Sequence, residues 1–350
     1  MIDGSLLLLG LSGPALTLEE AAMFRRLQPA GFILCARNLV TPEQTRHLTD
    51  ELRSLSTELP ILALDPKATG SIPSTDQIIA AAAPSARALA ATRDMGKMAT
   101  AGILTGDWFR LLGINLNLGP VLDLAHDAIT ANGERWHPDA QRVIDYAGQW
   151  NRWLRKRSVA SCAKSFPAGG RARSDARHDL PTCPATMNDL LRSDVIPYTA
   201  LMPELDAIMT SHIEFPHIDA QFPASLSPRI VRRFLRDQLG FDRHLVITDD
   251  LDHGAITRRY GRGPDVRLAI EAGNDLALIG HATGTAEVAA RALADLPRAL
   301  TAEARDRVER FRTRTLEAPL AWSAQKWNVT CAAMAMLAAE VPEPSDGRHD

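Results

Sequence analysis

Cysteine is scarce in this chain: four residues, Cys35, Cys162, Cys183 and Cys331, lie far apart and form no CxxC pair. That spacing excludes a zinc knuckle, a redox dithiol and a disulfide-stapled scaffold, and leaves reduced thiols as the expectation. Long apolar runs are missing as well. The stretch Leu6–Leu9 has no basic lead and is far too short to span a bilayer, so neither a secretory nor a membrane segment is expected and the cytoplasm is the expected location. Neither sign of charge dominates, with a formal net charge of -3 and a pI near 6.4. This argues against nucleic acid or anionic membrane as a partner. The basic run Arg152-Trp153-Leu154-Arg155-Lys156-Arg157 reads as a solvated helix end. Repeats, low-complexity blocks and Pro/Gly/Ser linkers are also lacking, which predicts one domain over 1–340 followed by a disordered tail over 341–350. A monomer is expected. What is present is a hydrophobic content of 45 %, ample for a large core.

Short apolar runs of about five residues recur along the chain and suit strands buried on both faces. They are Ser5–Leu9, Gly31–Cys35, Ile61–Leu64, Ile114–Leu118, Ala160–Lys164, Ala207–Ser211, Leu245–Thr248 and Asp275–Ile279. Amphipathic segments with clear helix starts separate them. Thr17-Leu18-Glu19-Glu20 and Thr41-Pro42-Glu43-Gln44 read as capping boxes, Ser227-Pro228 opens another helix, and Gly240 closes it as a left-handed cap. Parallel strands need crossovers, so eight strands alternating with helices predict a single (β/α)₈ barrel of the α/β class. A doubly wound open sheet is the competing architecture.

In a barrel, chemistry collects where strands end. The run Leu245-Val246-Ile247-Thr248 breaks abruptly into Asp249-Asp250. Asp65 follows the third strand, Asp123 and Gly133-Glu134-Arg135 the fourth, Lys164 ends the fifth, and His212 follows the sixth. Carboxylates with one Lys and one Arg suit a neutral polyhydroxylated ligand, because each hydroxyl donates to a carboxylate and accepts from a cation. No ligand spacing among His, Asp and Glu favours a metal. His212 and His217 read as hydrogen-bonded core or rim residues.

Together, Gly31-Phe32-Ile33-Leu34 with Ala36-Arg37-Asn38, Pro120-Val121-Leu122-Asp123, Gly133-Glu134-Arg135, Lys164-Ser165-Phe166-Pro167, Met209-Thr210-Ser211-His212, Pro223-Ala224-Ser225-Leu226-Ser227 and Thr248-Asp249-Asp250-Leu251 resemble glycoside hydrolase family 3. More narrowly, they are similar to its single-domain bacterial β-N-acetylhexosaminidases of cytoplasmic peptidoglycan recycling. The resemblance implies a retaining double displacement on a small saccharide or muropeptide, with no metal or organic cofactor. It further implies Asp249 as nucleophile, and Asp65, Arg135 and Lys164 as partners of the hydroxyls of a terminal N-acetylglucosamine.

In this subgroup the general acid/base is a histidine on a loop after the fifth strand, paired with an aspartate two residues earlier. Here Asp175 matches the aspartate and Arg177 occupies the histidine position, with His178 one place later. An arginine stays charged up to a pH of about 12 and cannot shuttle protons. The dyad therefore requires His178, oriented by Asp175 or by Asp179. Ser165 replaces a second family histidine, and the glycine-rich loop after the third strand is rebuilt as Asp65-Pro66-Lys67-Ala68-Thr69-Gly70-Ser71. The loop arginines Arg171, Arg173 and Arg177 suggest recognition of an anionic group. Three functions stay open at this point: an active β-N-acetylglucosaminidase, a silent sugar-binding paralogue, and an enzyme of changed substrate preference.

Overall fold

The computed structural model describes residues 4–65, 83–126 and 134–343. Its eight strands are β1 (Leu7–Leu9), β2 (Gly31–Leu34), β3 (Ile61–Leu64), β4 (Leu116–Asn117), β5 (Ala160–Phe166), β6 (Ala207–Thr210), β7 (Leu245–Thr248) and β8 (Ala277–Ile279). All pair in parallel, in the order β7-β6-β5-β4-β3-β2-β1-β8, and Ile247 bridges to Leu276 to close the ring. First and last strands are neighbours, with Leu7, Leu8 and Leu9 opposite Ala277, Leu278 and Ile279. An open doubly wound sheet is thereby ruled out, and the molecule is the (β/α)₈ barrel predicted from its eight runs.

The strands are continuous apolar runs because helices cover one face and the packed barrel interior the other. Leu7, Leu8, Leu9, Leu62, Ala63, Leu64, Val246 and Ile247 have no exposed surface. Each buried aliphatic side chain of Val or Leu size contributes about 1.5–3 kcal/mol.

Five strands, β1, β2, β4, β6 and β8, are shorter than predicted, and at β4 and β8 polar side chains explain it. Asn115 enters the ladder beside β4 with its side chain, accepting from the Leu62 N–H at 2.7 Å and donating to the Pro60 carbonyl at 3.0 Å. Before β8, Asp275 is fully buried and accepts from Arg236 at 2.8 Å, from the Val246 N–H at 2.9 Å and from Arg307 at 3.2 Å. This ion cluster pins the end of the barrel opposite the strand mouths.

The helix starts behave largely as the sequence implies. Thr17 forms a complete capping box with Glu20. Thr41 caps Gln44 at 3.1 Å, but the Gln44 side chain reaches the Val40 N–H instead, so only half of that box exists. Gly240 adopts φ +84° and bonds back to the Arg236 carbonyl, ending a π-wound helix over Arg229–Gln238.

At the other end of the chain, Trp327 of the helix Ala324–Glu340 packs against Trp108, with ring centroids 6.1 Å apart. Val341 is buried, and Glu343 accepts from the Ser85 N–H and hydroxyl at 2.8 and 2.6 Å. The expected frayed tail therefore does not begin at 341, and 344–350 lies outside the described residues. All four cysteines are free. No described helix is long and apolar enough to cross a membrane.

Candidate active site

The carboxyl ends of the strands open into a cavity of about 1400 Å³ whose walls include Asp65, Arg135, Asp249 and His253. Asp249 stands at the end of β7, where its N–H donates to the Thr210 carbonyl of β6 at 2.9 Å and its Oδ1 accepts from the Asp250 N–H at 2.8 Å. Burial pushes its carboxyl up. The His253 and His212 imidazoles, the Asp250 N–H and the Lys164 ammonium together outweigh that, leaving Asp249 below the usual carboxylate range. An ionised carboxylate at the floor of a barrel mouth is what a nucleophile requires.

The next residue does structural work. Asp250 accepts from the Gly280 N–H at 2.9 Å and the Asp252 N–H at 3.0 Å, tying the turn after β7 to the end of β8. A Cβ on Gly280 would fall onto the Asp250 carboxylate, so this close approach requires glycine. Burial, and then the neighbouring Asp252, raises the Asp250 carboxyl. Asp252 accepts from the N–H groups of His281 and Ala282 at 2.7 Å and pairs with Arg262.

Lys164 extends from β5, almost fully buried, to bind the Asp65 carboxylate at the end of β3. Asp65 lines the cavity while Lys164 stands behind it. Arg135 also reaches the wall, donating to the Gly169 carbonyl at 3.2 Å. Ser165 donates its N–H to both Asp123 oxygens at 3.2 Å, which fixes the start of the loop after β5. The altered segment after Asp65, apart from Asp65 itself, lies outside the described residues, as does Gly133.

The proposed dyad does not assemble as the sequence suggested. Asp175 lines the cavity, but its carboxylate is occupied by Arg177, with Nε 2.9 Å and Nη2 2.5 Å from Oδ2. That hydrogen bond, opposed by burial and aided by the backbone N–H, holds the Asp175 carboxyl below its ordinary value. His178 is exposed and does not line the cavity, and Asp179 is turned outward onto Arg258 at 2.9 Å. The backbone explains this orientation. The Arg177 and Ala176 carbonyls accept from the N–H groups of Gly254 and Ala255 at 3.0 and 3.1 Å, locking this loop against the turn after β7 with Arg177 facing inward.

The arginine trio also divides. Arg171 is committed to Asp194 at 2.8 Å and Ser193 at 3.1 Å, and Arg173 is exposed away from the cavity, so Arg177 alone of the three reaches the wall. His217 is exposed. His212 is buried, with Nδ1 2.7 Å from the Ser225 hydroxyl and Nε2 2.9 Å from the Asp250 carbonyl. Burial lowers its pKa to about 4, so it is neutral near pH 7.

His253 and His281 were not singled out from the sequence, and Arg37 entered only as part of a motif without a role, yet all three line the cavity. His253 stands four residues after Asp249, a spacing that the turn after β7 folds back on itself. Its Nδ1 lies 3.8 Å from the Asp249 Oδ2. Among the described residues, the ligand atoms of His212, Asp249 and His253 lie within 4.8 Å of one another. With both His212 nitrogens in hydrogen bonds, this set offers two ligand atoms, short of the three protein ligands of a catalytic zinc.

This architecture has clear relatives. Residues 5–313 match the glycosyl hydrolase family 3 N-terminal domain. The chain is 31 % identical over 294 residues to a beta-hexosaminidase of Pseudomonas aeruginosa (strain LESB58), covering 83 % of this chain and 87 % of the relative. A beta-hexosaminidase of Thiobacillus denitrificans is 29 % identical over 324 residues, covering 89 % and 88 %. Among solved structures, a family 3 beta-N-acetylglucosaminidase from Paenibacillus sp. str. FPU-7 superposes with a TM-score of 0.87 at 25 % identity, over 97 % of this chain and 68 % of that one. NagZ from Neisseria gonorrhoeae, in complex with N-trifluoroacetyl-D-glucosamine, shares the fold with a TM-score of 0.78 at 23 % identity, over 95 % and 98 %. With residues 5–313 matched by the family's domain and most of its length covered by a relative of 31 % identity, the chain belongs to glycosyl hydrolase family 3.

Proposed function

We propose that the protein is a retaining β-N-acetylhexosaminidase that removes terminal N-acetylglucosamine from cell-wall-derived glycans. The observation that carries this reading is Asp249, held ionised at the end of β7 in the same cavity as Asp65 and Arg135. In the first half-reaction an Asp249 oxygen bonds the anomeric carbon as the bond to the leaving oxygen breaks. In the second, water displaces the carboxylate with net retention. Asp65, oriented by Lys164, and Arg135 bind the ring hydroxyls and hold the anomeric carbon over Asp249. The beta-hexosaminidase names of the relatives support the substrate class. A cytoplasmic monomer acting on muropeptide-derived saccharides, without nucleic-acid or membrane partners, completes the proposal.

A second reading, a sugar-binding paralogue of low turnover, is favoured by one observation: Arg177 occupies Asp175 where a proton shuttle would stand. Release of nitrophenol from 4-nitrophenyl N-acetyl-β-D-glucosaminide by the protein and its Asp249→Asn variant separates the two. Turnover by the wild type, lost in the variant by at least about 10³-fold, supports the hydrolase. Sugar binding without turnover in either supports the paralogue.

A further inference from the structure

We propose that His253, on the turn after β7, is the group that donates and accepts the proton in this reaction, in place of any residue of the loop after β5. The proposal rests on the hydrolase reading above. Four observations carry it. First, His253 lines the same cavity as Asp249. Second, its Nδ1 lies 3.8 Å from the Asp249 Oδ2, beyond a direct hydrogen bond, so the ring stands beside the nucleophile without occupying it. Third, that Nδ1 is buried and has no hydrogen-bond partner, although buried polar atoms are nearly always paired. Closed to solvent, Nδ1 cannot take a partner from the cavity; Nε2 is not among such atoms and is the nitrogen that can reach a leaving-group oxygen or an incoming water. Fourth, the loop after β5 places a permanently charged Arg177 on Asp175 and leaves His178 outside the cavity.

The backbone that carries the ring is fixed by its neighbours. The His253 N–H donates to the Asp250 carbonyl at 3.0 Å, and its carbonyl accepts from Thr257 at 3.0 Å as the short helix Gly254–Thr257 begins. The His212 ring meets it edge-on at 90°, with centroids 5.9 Å apart. Among the described residues, the titratable and charged groups near it are Asp249, Asp250 and Asp252 from its own turn, the neutral His212 just after β6, and Arg177 on the wall of the same cavity. An attacked carbon about 3–3.5 Å from Asp249 and a leaving oxygen about 2.6–3.2 Å from Nε2 are compatible with a ring this close to the nucleophile, the proton arriving from the side of the glycosidic bond.

The steps balance. As the Asp249 oxygen bonds the anomeric carbon, the glycosidic bond breaks and the imidazolium of His253 gives its proton to the departing oxygen, leaving a neutral ring. In the second half, neutral His253 takes a proton from water, the water oxygen bonds the anomeric carbon, and the ester to Asp249 breaks. Carboxylate and imidazolium are regenerated. Histidine suits this duty because its charge changes within the physiological range.

The test compares wild type, His253→Ala, the bulkier His253→Gln and His178→Ala on two substrates. One is N,N′-diacetylchitobiose, whose leaving group needs a proton. The other is 2,4-dinitrophenyl N-acetyl-β-D-glucosaminide, whose leaving group does not. The expected result for the His253 variants is a loss of about 10²–10⁴-fold in kcat/KM on the first substrate and less than about tenfold on the second. Added azide should restore kcat on the second substrate and yield the β-glycosyl azide. Equal losses on both substrates without azide rescue, unchanged kinetics, or the leaving-group pattern appearing in His178→Ala instead, would each overturn the proposal. A wild type that cleaves neither substrate, or an Asp249→Asn variant that cleaves both normally, would defeat the underlying hydrolase reading, which is a different outcome.

Discussion

Arg177 grips Asp175 through both carboxylate oxygens, with Nε 3.1 Å from Oδ1 and 2.9 Å from Oδ2, and its backbone N–H adds a bond of 2.9 Å to Oδ1. Two residues that look like a damaged catalytic dyad form a closed local ion pair at the cavity rim. The same pairing raises the already high arginine pKa, aided by Asp249.

Both partners are partly exposed, so this pair contributes little to stability. Arg177→Ala should lower Tm by less than about 3 °C. Its effect should fall on ligands instead. Loss of a cation at the wall should weaken a carboxylate-bearing glycan about tenfold more than a neutral one, as read by calorimetric titration of both. Equal losses would remove Arg177 from ligand recognition.

Lys164 and Asp65 should behave as a unit. Lys164→Met strips Asp65 of its cation in a mostly buried place and is expected to destabilise the protein by about 3 kcal/mol. Asp65→Asn alone should also destabilise. The double variant should lose clearly less than the sum of the two in urea unfolding, and strict additivity would show that the pair is uncoupled.

His212 makes stability depend on pH. Its folded pKa of about 4 lies below the unfolded value near 6.5, so between these values the unfolded chain binds the extra proton. Stability is therefore fully present above about pH 6.5 and falls as the pH drops toward 4. Between pH 7 and pH 5 this one group should cost the wild type about 2 kcal/mol. The stability gap between wild type and His212→Asn should narrow by that amount in urea titrations at the two pH values. A constant gap would exclude the buried neutral imidazole as the cause.

Gly254 lets the turn after β7 lie directly on the loop after β5, since a Cβ there would meet the His178 and Arg177 carbonyl oxygens at 2.7 and 2.8 Å. Gly254→Val should destabilise by about 1–3 kcal/mol through overpacking. It should also lower kcat, because the same turn carries Asp249 and His253. Normal turnover with lowered Tm would separate the packing of this contact from the site.

The strand-end residues were readable in advance for a local reason. An apolar run that stops at a carboxylate specifies both a buried strand and what stands at its mouth, so Asp65 and Asp249 came to the cavity wall together. The loop after β5 was not readable in the same way. Arg177 and His178 are adjacent and equally polar, and which one faces the cavity depends on backbone hydrogen bonds to Gly254 and Ala255, some 80 residues away. His253 escaped notice because a single histidine past a strand end carries no periodic or motif signal. Only the folding-back of its turn brings it to Asp249.

By itself, the sequence determined eight strands alternating with helices and the chemistry available at the strand ends, because burial on both faces, helix caps and strand-end polarity are properties of short segments; closure of the strands into a ring was decided by the β1–β8 pairing. The tertiary structure alone decided which groups share a proton or a charge: Arg177 with Asp175, Lys164 with Asp65, and His253 beside Asp249. Hydrogen bonds and ion pairs act over about 3–4 Å, and the segments that meet at that range are set by closure of the whole ring.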